Sequence, residues 1–297
     1  MLNEIVKDVI SRHPEYVGLE AAVEKEVLHH DLMQALKNAG VLSQITFIGG
    51  TSLRMCYGSN RLSEDLDFTA GVNFNPKSFD GLDAHLKECL ETKYGLPVSV
   101  GSPTEMRGDT ASWRVTITRD SYRKDLPSQR LHIDVCAYDS LSVLNRPLED
   151  HYGIGSQVSG VLVPVQSLNE IMADKLIAFA YRERRIKPRD LWDIVWLTRQ
   201  RAEASRAHIT QKLEMRGKDQ NEFLGLIEKH KDQVLNADET RADFESEMAR
   251  FLPTRVSVET IQNPDFWGYL GSSLSTVIEK ANAAMKPGSP PGSKFSM

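Results

Sequence analysis

The stretch IGGTSLRMCYGSNRLSEDLDF, residues 48–68, decides how this chain is read. A glycine pair, Gly49-Gly50, follows the short apolar run 45–48, and an acid–apolar–acid triplet, Asp65-Leu66-Asp67, comes about fifteen residues later. Side chains two apart on a β-strand point to the same face. Asp65 and Asp67 are therefore expected side by side on one face, with Leu66 and Phe68 turned into a core. Carboxylates crowded in this way repel unless a cation lies between them, so the pattern asks for a divalent metal. The glycines let backbone approach a ligand where a Cβ would clash, ahead of a helix N-terminus that favours anions. Each feature also has an ordinary reading: a tight turn for the glycines, a solvated strand face for the acids. Their order and spacing together favour phosphate beside metal, as in a nucleotide site.

Working outward, a third acid stands in LHIDVCAY, residues 131–138. His132, Asp134 and Cys136 share one face of the expected strand, and Leu131, Ile133 and Val135 share the other. If that strand lies beside the one carrying Asp65 and Asp67, Asp134 completes a three-carboxylate cluster. A solvated acid at a sheet edge is the alternative. Ser63, two residues before Asp65, can face the same site; Arg61 can bind a phosphate in bidentate fashion. Thr51 falls at the expected helix N-terminus, where it greets a phosphate or serves as an ordinary cap.

Helices are expected over 2–12, 18–39, 51–57 and 76–93, and strands over 45–48, 64–69, 112–119 and 131–138. The second half reads as helical. Ser167-Leu-Asn-Glu170 matches a capping box opening a helix expected to run to about Arg185, and Pro188 starts the next. Helical periodicity then continues, with breaks at Asn236-Ala-Asp and Asn263-Pro264. The expected organisation is an α/β (α+β) domain with a small mixed sheet flanked by helices over 1–165. An all-helical domain over 166–285 and a Pro/Gly/Ser-rich disordered tail over 286–297 follow, with the site in the cleft between the two domains.

Lys175 and Arg182 lie seven apart in the first of these helices, on one face, amid apolar neighbours. A lysine so placed is desolvated unless it meets an anion, either a triphosphate or a carboxylate. Asp190, in the first turn of the next helix, can orient it, or can simply compensate the helix dipole. Arg182, Arg184, Arg185, Lys187 and Arg189 form a basic run, which is a solvated face or a phosphate-backbone contact for RNA. Trp192 and Trp196 are expected in the core.

The chain has 297 residues, 40% apolar and 26% charged, with a net charge of −5, which argues against bulk electrostatic coating of nucleic acid. Its three cysteines show no metal-ligand spacing and are expected as reduced thiols. No signal-peptide pattern or bilayer-spanning run is present, so a cytoplasmic protein without membrane contact is expected.

GGTSLRMCYG followed by RLSEDLDF, with DKLIAFAYRERR and KPRDLWDI further on, resembles the AbiEii/AbiGii toxin family within the DNA polymerase β-like nucleotidyltransferase superfamily. The resemblance implies transfer of NMP from an NTP to an acceptor hydroxyl. It implies Mg²⁺ (or Mn²⁺) on Asp65, Asp67 and Asp134, with Ser63, Lys175 and Asp190 in the catalytic set. Gly49, Gly50, Thr51, Arg61, Ser63, Lys175 and Arg182 would bind the nucleotide. It further implies the toxin of a type IV toxin–antitoxin, abortive-infection (antiphage) system, with an antitoxin encoded nearby and the tRNA 3′ end as acceptor. Two other readings remain open at this point: transfer to an aminoglycoside-like small molecule or a protein hydroxyl, and a non-catalytic nucleotide-binding regulator.

Overall fold

The structure is a computed structural model that describes residues 1–118 and 128–286. Arg119, the expected end of one strand, and the tail from 287 onward lie outside the described residues. The chain divides into two compact units, Met1–Gln166 with Phe251–Thr254, and Ser167–Arg250 with Arg255 onward.

The first unit begins with α1 (Leu2–Arg12) and α2 (Glu20–Asn38), then β1 (Thr46–Ile48), α3 (Gly49–Tyr57) and β2 (Leu66–Thr69). Next come α4 (Leu82–Tyr94), β3 (Val98–Gly101), β4 (Thr110–Ile117), β5 (Gln129–Cys136), β6 (Val143–Pro147) and β7 (Leu162–Gln166). The strands make one mixed sheet in the order β3-β4-β5-β2-β1-β7-β6. β2 pairs parallel with β5 and β1 parallel with β7, while the other neighbours are antiparallel. The sheet is larger than the four expected strands. β3, β6 and β7 are short, and VLNRP and LVPVQ each carry a proline that masks the strand pattern.

Alternation sorts the sheet's two faces. Phe47, Leu66, Phe68, Trp113, Val115, Ile133 and Val135 are buried in one core with Leu28, Leu32 and Leu36 of α2 and Leu86 and Leu90 of α4. Phe47 and Phe68, register partners on β1 and β2, stack with ring centroids 5.0 Å apart. The intervening residues Asp67, His132 and Asp134 therefore turn to the opposite, polar face. The expected helix over 76–93 is split, with a 3-10 turn at Pro76–Phe79 and α4 starting only after Gly81, whose φ is +83°. That backbone conformation costs glycine nothing and ends the preceding turn.

A buried ionic network pins α3 to α2. Arg54 of α3 donates from Nε to both carboxylate oxygens of Glu26, at 3.1 and 3.3 Å. It also donates to the Ser59 carbonyl at 3.0 Å and the Tyr16 hydroxyl at 3.2 Å. Tyr152 donates to the same Glu26 carboxylate. Burial alone would raise the Glu26 pKa, but Arg54 and the Tyr152 hydrogen bond hold it below its ordinary value.

The second unit is helical: α5 (Leu168–Ala180), α6 (Pro188–Arg199), α7 (Arg206–Met215), α8 (Gln220–Asn236), α9 (Asp238–Met248), α10 (Thr254–Glu259) and α11 (Phe266–Met285). α10 starts on the last residue of the short return to the first unit. Ser167 caps α5 by accepting from the Glu170 N–H at 3.3 Å, while the Glu170 carboxylate turns inward to the fully buried Lys212 at 2.5 Å. α5 ends at Ala180, not near Arg185. The crowded cations from Arg182 onward would repel at helical spacing, and each finds a partner or solvent better in an extended link before Pro188. Trp192 and Trp196 are buried, Trp192 facing the Phe266 ring at 5.9 Å.

Breaking the Glu26–Arg54 pair from one side strands a buried carboxylate. Arg54→Ala is expected to cost about 3–5 kcal/mol of stability in urea unfolding followed by circular dichroism. A loss under about 1 kcal/mol would mean that water takes over the role of the guanidinium.

Candidate active site

The strand–turn–helix at residues 46–57 supplies the first wall of the site. Ile48 is extended, at φ −135°, and α3 begins directly on the glycine pair. Gly49 has φ +75°, and a Cβ there would stand 2.7 Å from Oδ2 of Asp67. A Cβ on Gly50 would lie 2.0 Å from Nη2 of Arg61. Both glycines are thus required by close approach: a carboxylate lies over the first and a guanidinium over the second. The first turn of α3, whose N–H groups have no intrahelical partner, starts beside Asp67.

Asp67 and Asp134 are register partners on the parallel strands β2 and β5. Adjacent strands lie roughly 4.8 Å apart, so the two carboxylates emerge side by side on the polar face. Oδ1 of Asp134 is buried and has no hydrogen-bond partner among the described residues. Such an orphaned acceptor beside a second carboxylate fits a cation. Asp65 precedes β2, and its Oδ1 lies 3.3 Å from Nδ1 of His132, two residues before Asp134. The structure thus brings Asp67 and Asp134 together by register and places Asp65 against His132. Among the described residues no group of three His, Cys, Asp or Glu side chains is placed to hold a metal ion, so the expected three-carboxylate cluster is not assembled. Asp65 lies before β2, outside the strand register that pairs Asp67 with Asp134.

Three of the expected ligand-binding side chains are engaged inside the protein. Thr51 is fully buried, its hydroxyl bonded to the Asp65 carbonyl and 2.7 Å from the Ser63 hydroxyl. Ser63 is buried beside it, and Arg61, also buried, donates to the Leu62 carbonyl at 3.0 Å over Gly50. The three hold the loop ahead of Asp65 in shape. His29 of α2 adds to this by contacting the Glu64 carbonyl at 3.0 Å, and Lys25 meets the Glu64 carboxylate at 2.7 Å.

In the second unit, Lys175 of α5 is clamped between Asp190, at 3.0 Å, and Asp193, at 2.7 Å, both on α6. Arg182 closes the cluster, with Nη2 at 2.7 Å from the other Asp190 oxygen. Burial alone would raise the Asp190 pKa, but Lys175 and Arg182 drive it well below the usual carboxylate range. Asp193, the second acid of the KPRDLWDI segment, is fully buried three residues after Asp190 on the same helix. The basic run is largely spent within this unit. Arg185 pairs with Asp243 and Glu247, and Arg189 with Glu247, leaving Arg184 and Lys187 exposed.

The family model described as "Nucleotidyl transferase AbiEii toxin, Type IV TA system" matches residues 31–272, which includes both clusters. The chain belongs to this family. No curated protein matches the sequence significantly. Among solved structures, a protein from H. pylori proposed to be a nucleotidyltransferase is 16% identical, with a TM-score of 0.50, covering 88% of this chain and 96% of its own. JHP933 from Helicobacter pylori is 18% identical, TM-score 0.46, covering 88% of this chain and 94% of its own. MenT4, a nucleotidyltransferase toxin from Mycobacterium tuberculosis, is 17% identical, TM-score 0.48, covering 96% and 99%. At such identities the first likeness speaks for the fold alone. As a member of the AbiEii family the chain is a nucleotidyltransferase of the type IV toxin–antitoxin class. No helix among the described residues is long and apolar enough to cross a membrane.

Burial lowers the His29 pKa from 6.5 to about 4, only partly offset by its contact with the Glu64 carbonyl. Folded His29 stays neutral where the unfolded ring takes up a proton, so its contribution is complete above pH 6.5 and is lost as pH falls toward 4. The loss amounts to roughly 3 kcal/mol over that window. Urea titrations between pH 7 and 4 are expected to show this slope in the wild type and a shallower one in His29→Gln.

Proposed function

We propose that this AbiEii-family enzyme transfers NMP from an NTP to a hydroxyl of an RNA acceptor, with the tRNA 3′ end as the first candidate. The observation that carries the reading is the register pair Asp67–Asp134 set against the glycine-led N-terminus of α3. Asp67 and Asp134 are the residues that would hold a divalent cation, Mg²⁺ or Mn²⁺, with Asp65 as a further ligand. When bound, the cation supplies charge neutralisation at the phosphates. Gly49 and Gly50 offer backbone N–H groups to the same phosphates because neither carries a Cβ to hold them off. The acceptor hydroxyl attacks the α-phosphorus in line, its proton passes to a carboxylate of the acidic group, and pyrophosphate leaves.

Thr51, Ser63 and Arg61 act from beneath by fixing the path into Asp65. Lys175 serves the same reaction as a phosphate contact, with Asp190 and Asp193 keeping it charged and oriented and Arg182 beside it. In the cell the enzyme is the toxin of its pair. It acts in the cytoplasm, where NTPs and tRNA are found, as part of an antiphage abortive response, and a cognate antitoxin restrains it.

Incubation with each labelled NTP, total RNA and Mg²⁺ is expected to move label into RNA. EDTA should abolish transfer, and Mg²⁺ or Mn²⁺ should restore it. Asp67→Asn and Asp134→Asn should each lower the rate by at least about a hundredfold, since direct ligands matter no less than their outer-shell supports. Label appearing in protein or in a small molecule instead would replace the acceptor; full activity in Asp67→Asn would remove the mechanism.

Expression without the antitoxin should arrest growth, and Lys175→Ala should relieve the arrest while leaving a folded protein by circular dichroism. Normal growth with an active enzyme in the cell would withdraw the toxin role.

A further inference from the structure

Ile48 pairs with Asp67, Asp67 with Asp134 and Asp134 with Ser112, so strand register draws one line across the sheet of the first unit. Gly49 opens α3 at one end of this line. Ser112 on β4 stands at the other end, three strand spacings or roughly 14 Å away. The two acids lie between. Entering and leaving oxygens take opposite sides of the phosphorus in an in-line displacement. With the triphosphate at the glycine end, the acceptor comes in over β5 and β4.

That part of the polar face is cationic. Trp113, Val115, Leu131 and Ile133 are buried, so Arg114 and Thr116 of β4, with Arg130 and His132 of β5, turn the other way. Arg114 is the register partner of His132, and Arg130 that of Thr116. The two arginines are therefore diagonal neighbours, roughly 7–8 Å apart along the face. Both are exposed, and neither side chain has an ion pair or hydrogen bond among the described residues. His132, between Arg130 and Asp134 on its strand, is engaged by Asp65. Gly101 is the β3 partner of Arg114, and a Cβ there would meet nothing within 4 Å, so this side of the guanidinium is open. Asp134 is the one acid on β3, β4 and β5.

Guanidinium and hydroxyl groups are what phosphate and sugar oxygens of a nucleic acid bind. Here two arginines stand with Ser99, Ser112 and Thr116 on one face. Trp113, the only Phe, Tyr or Trp on these strands, faces the core, so the face grips a backbone and does not stack bases with such rings. In a chain of net charge −5, a polyanion is held by local cations of this kind and not by bulk attraction.

We propose that Arg114 and Arg130 hold the phosphate backbone of the RNA acceptor and present its terminal hydroxyl beside Asp134, opposite the triphosphate. This rests on the transfer to RNA proposed above.

The test is fluorescence anisotropy of 5′-labelled total tRNA with the full chain, without NTP, over a series of KCl concentrations. The double variant Arg114→Gln with Arg130→Gln is expected to bind at least tenfold more weakly. Its salt slope should fall by about 1.4, at about 0.7 per single-strand phosphate. Arginine-to-lysine changes at both positions should keep the slope, because an ammonium still neutralises a phosphate. Lys37→Gln, an exposed charge on α2 behind the apolar face, should match the wild type. In transfer assays the double Gln variant should raise the KM for RNA at least tenfold more than that for NTP. Should that variant fold poorly by circular dichroism, each single Gln variant reads half the change in slope.

Binding needs no transfer, so the two readings fail separately. Wild type that binds tRNA through these arginines but labels no RNA refutes the reaction alone. Wild type that labels RNA, with tRNA binding unchanged in the Gln variants, overturns the backbone contact alone. It is overturned equally by no tRNA binding, by a matching rise in the KM for NTP, or by polyglutamate displacing the probe as well as unlabelled tRNA does.

Discussion

Two like charges placed side by side by strand register are the constraint around which the first unit is built. Asp67 and Asp134 cannot separate without slipping β2 against β5, and a one-residue slip would turn Phe68 and Val135 out of the core. Carboxylates at roughly 5 Å repel by about 1 kcal/mol in water and by several times that near a protein surface. The apolar face of the sheet therefore holds two acids side by side on the polar face. Gly49 admits the Asp67 carboxylate because any larger residue would collide with it.

The supporting structure follows from the same demand. The acidic loop rests on a base that the first unit builds from charge pairs and hydrogen bonds, the central pair buried. Glu26–Arg54 locks the helix that starts at the glycines, and His29 and Lys25 hold Glu64 from α2. Such pairs add little net stability relative to an apolar core, yet they fix one geometry because every alternative strands a charge. The Lys175–Asp190–Asp193–Arg182 cluster follows the same rule in the second unit. Two carboxylates share two cations, so neither helix can shift without leaving one unpaired.

Much of this was legible in the residues. The glycine pair, the Asp65-Leu66-Asp67 alternation and the Ile133-Asp134-Val135 strand are local patterns, and local patterns survive folding when a core enforces them. The PRDLWD segment announced Asp190 through the proline that opens its helix. Less legible were β3, β6 and β7, which are short or contain proline and exist because a neighbour offers hydrogen bonds. The end of α5 at Ala180 was hidden too, since helical spacing continues past it and only like-charge crowding and Asp190 stop it.

The sequence by itself determined the chemistry: which side chains can hold a metal, which backbone can meet a phosphate, and which family the chain belongs to. Those properties reside in residue identity and spacing over a few positions. Tertiary structure alone decided which of them are free to act. Thr51, Ser63 and Arg61 have ligand-binding side chains, yet their neighbours claim them, while Asp134 keeps an oxygen unpartnered among the described residues. A hydrogen bond can be spent only once, and which partner receives it depends on residues far away in the chain.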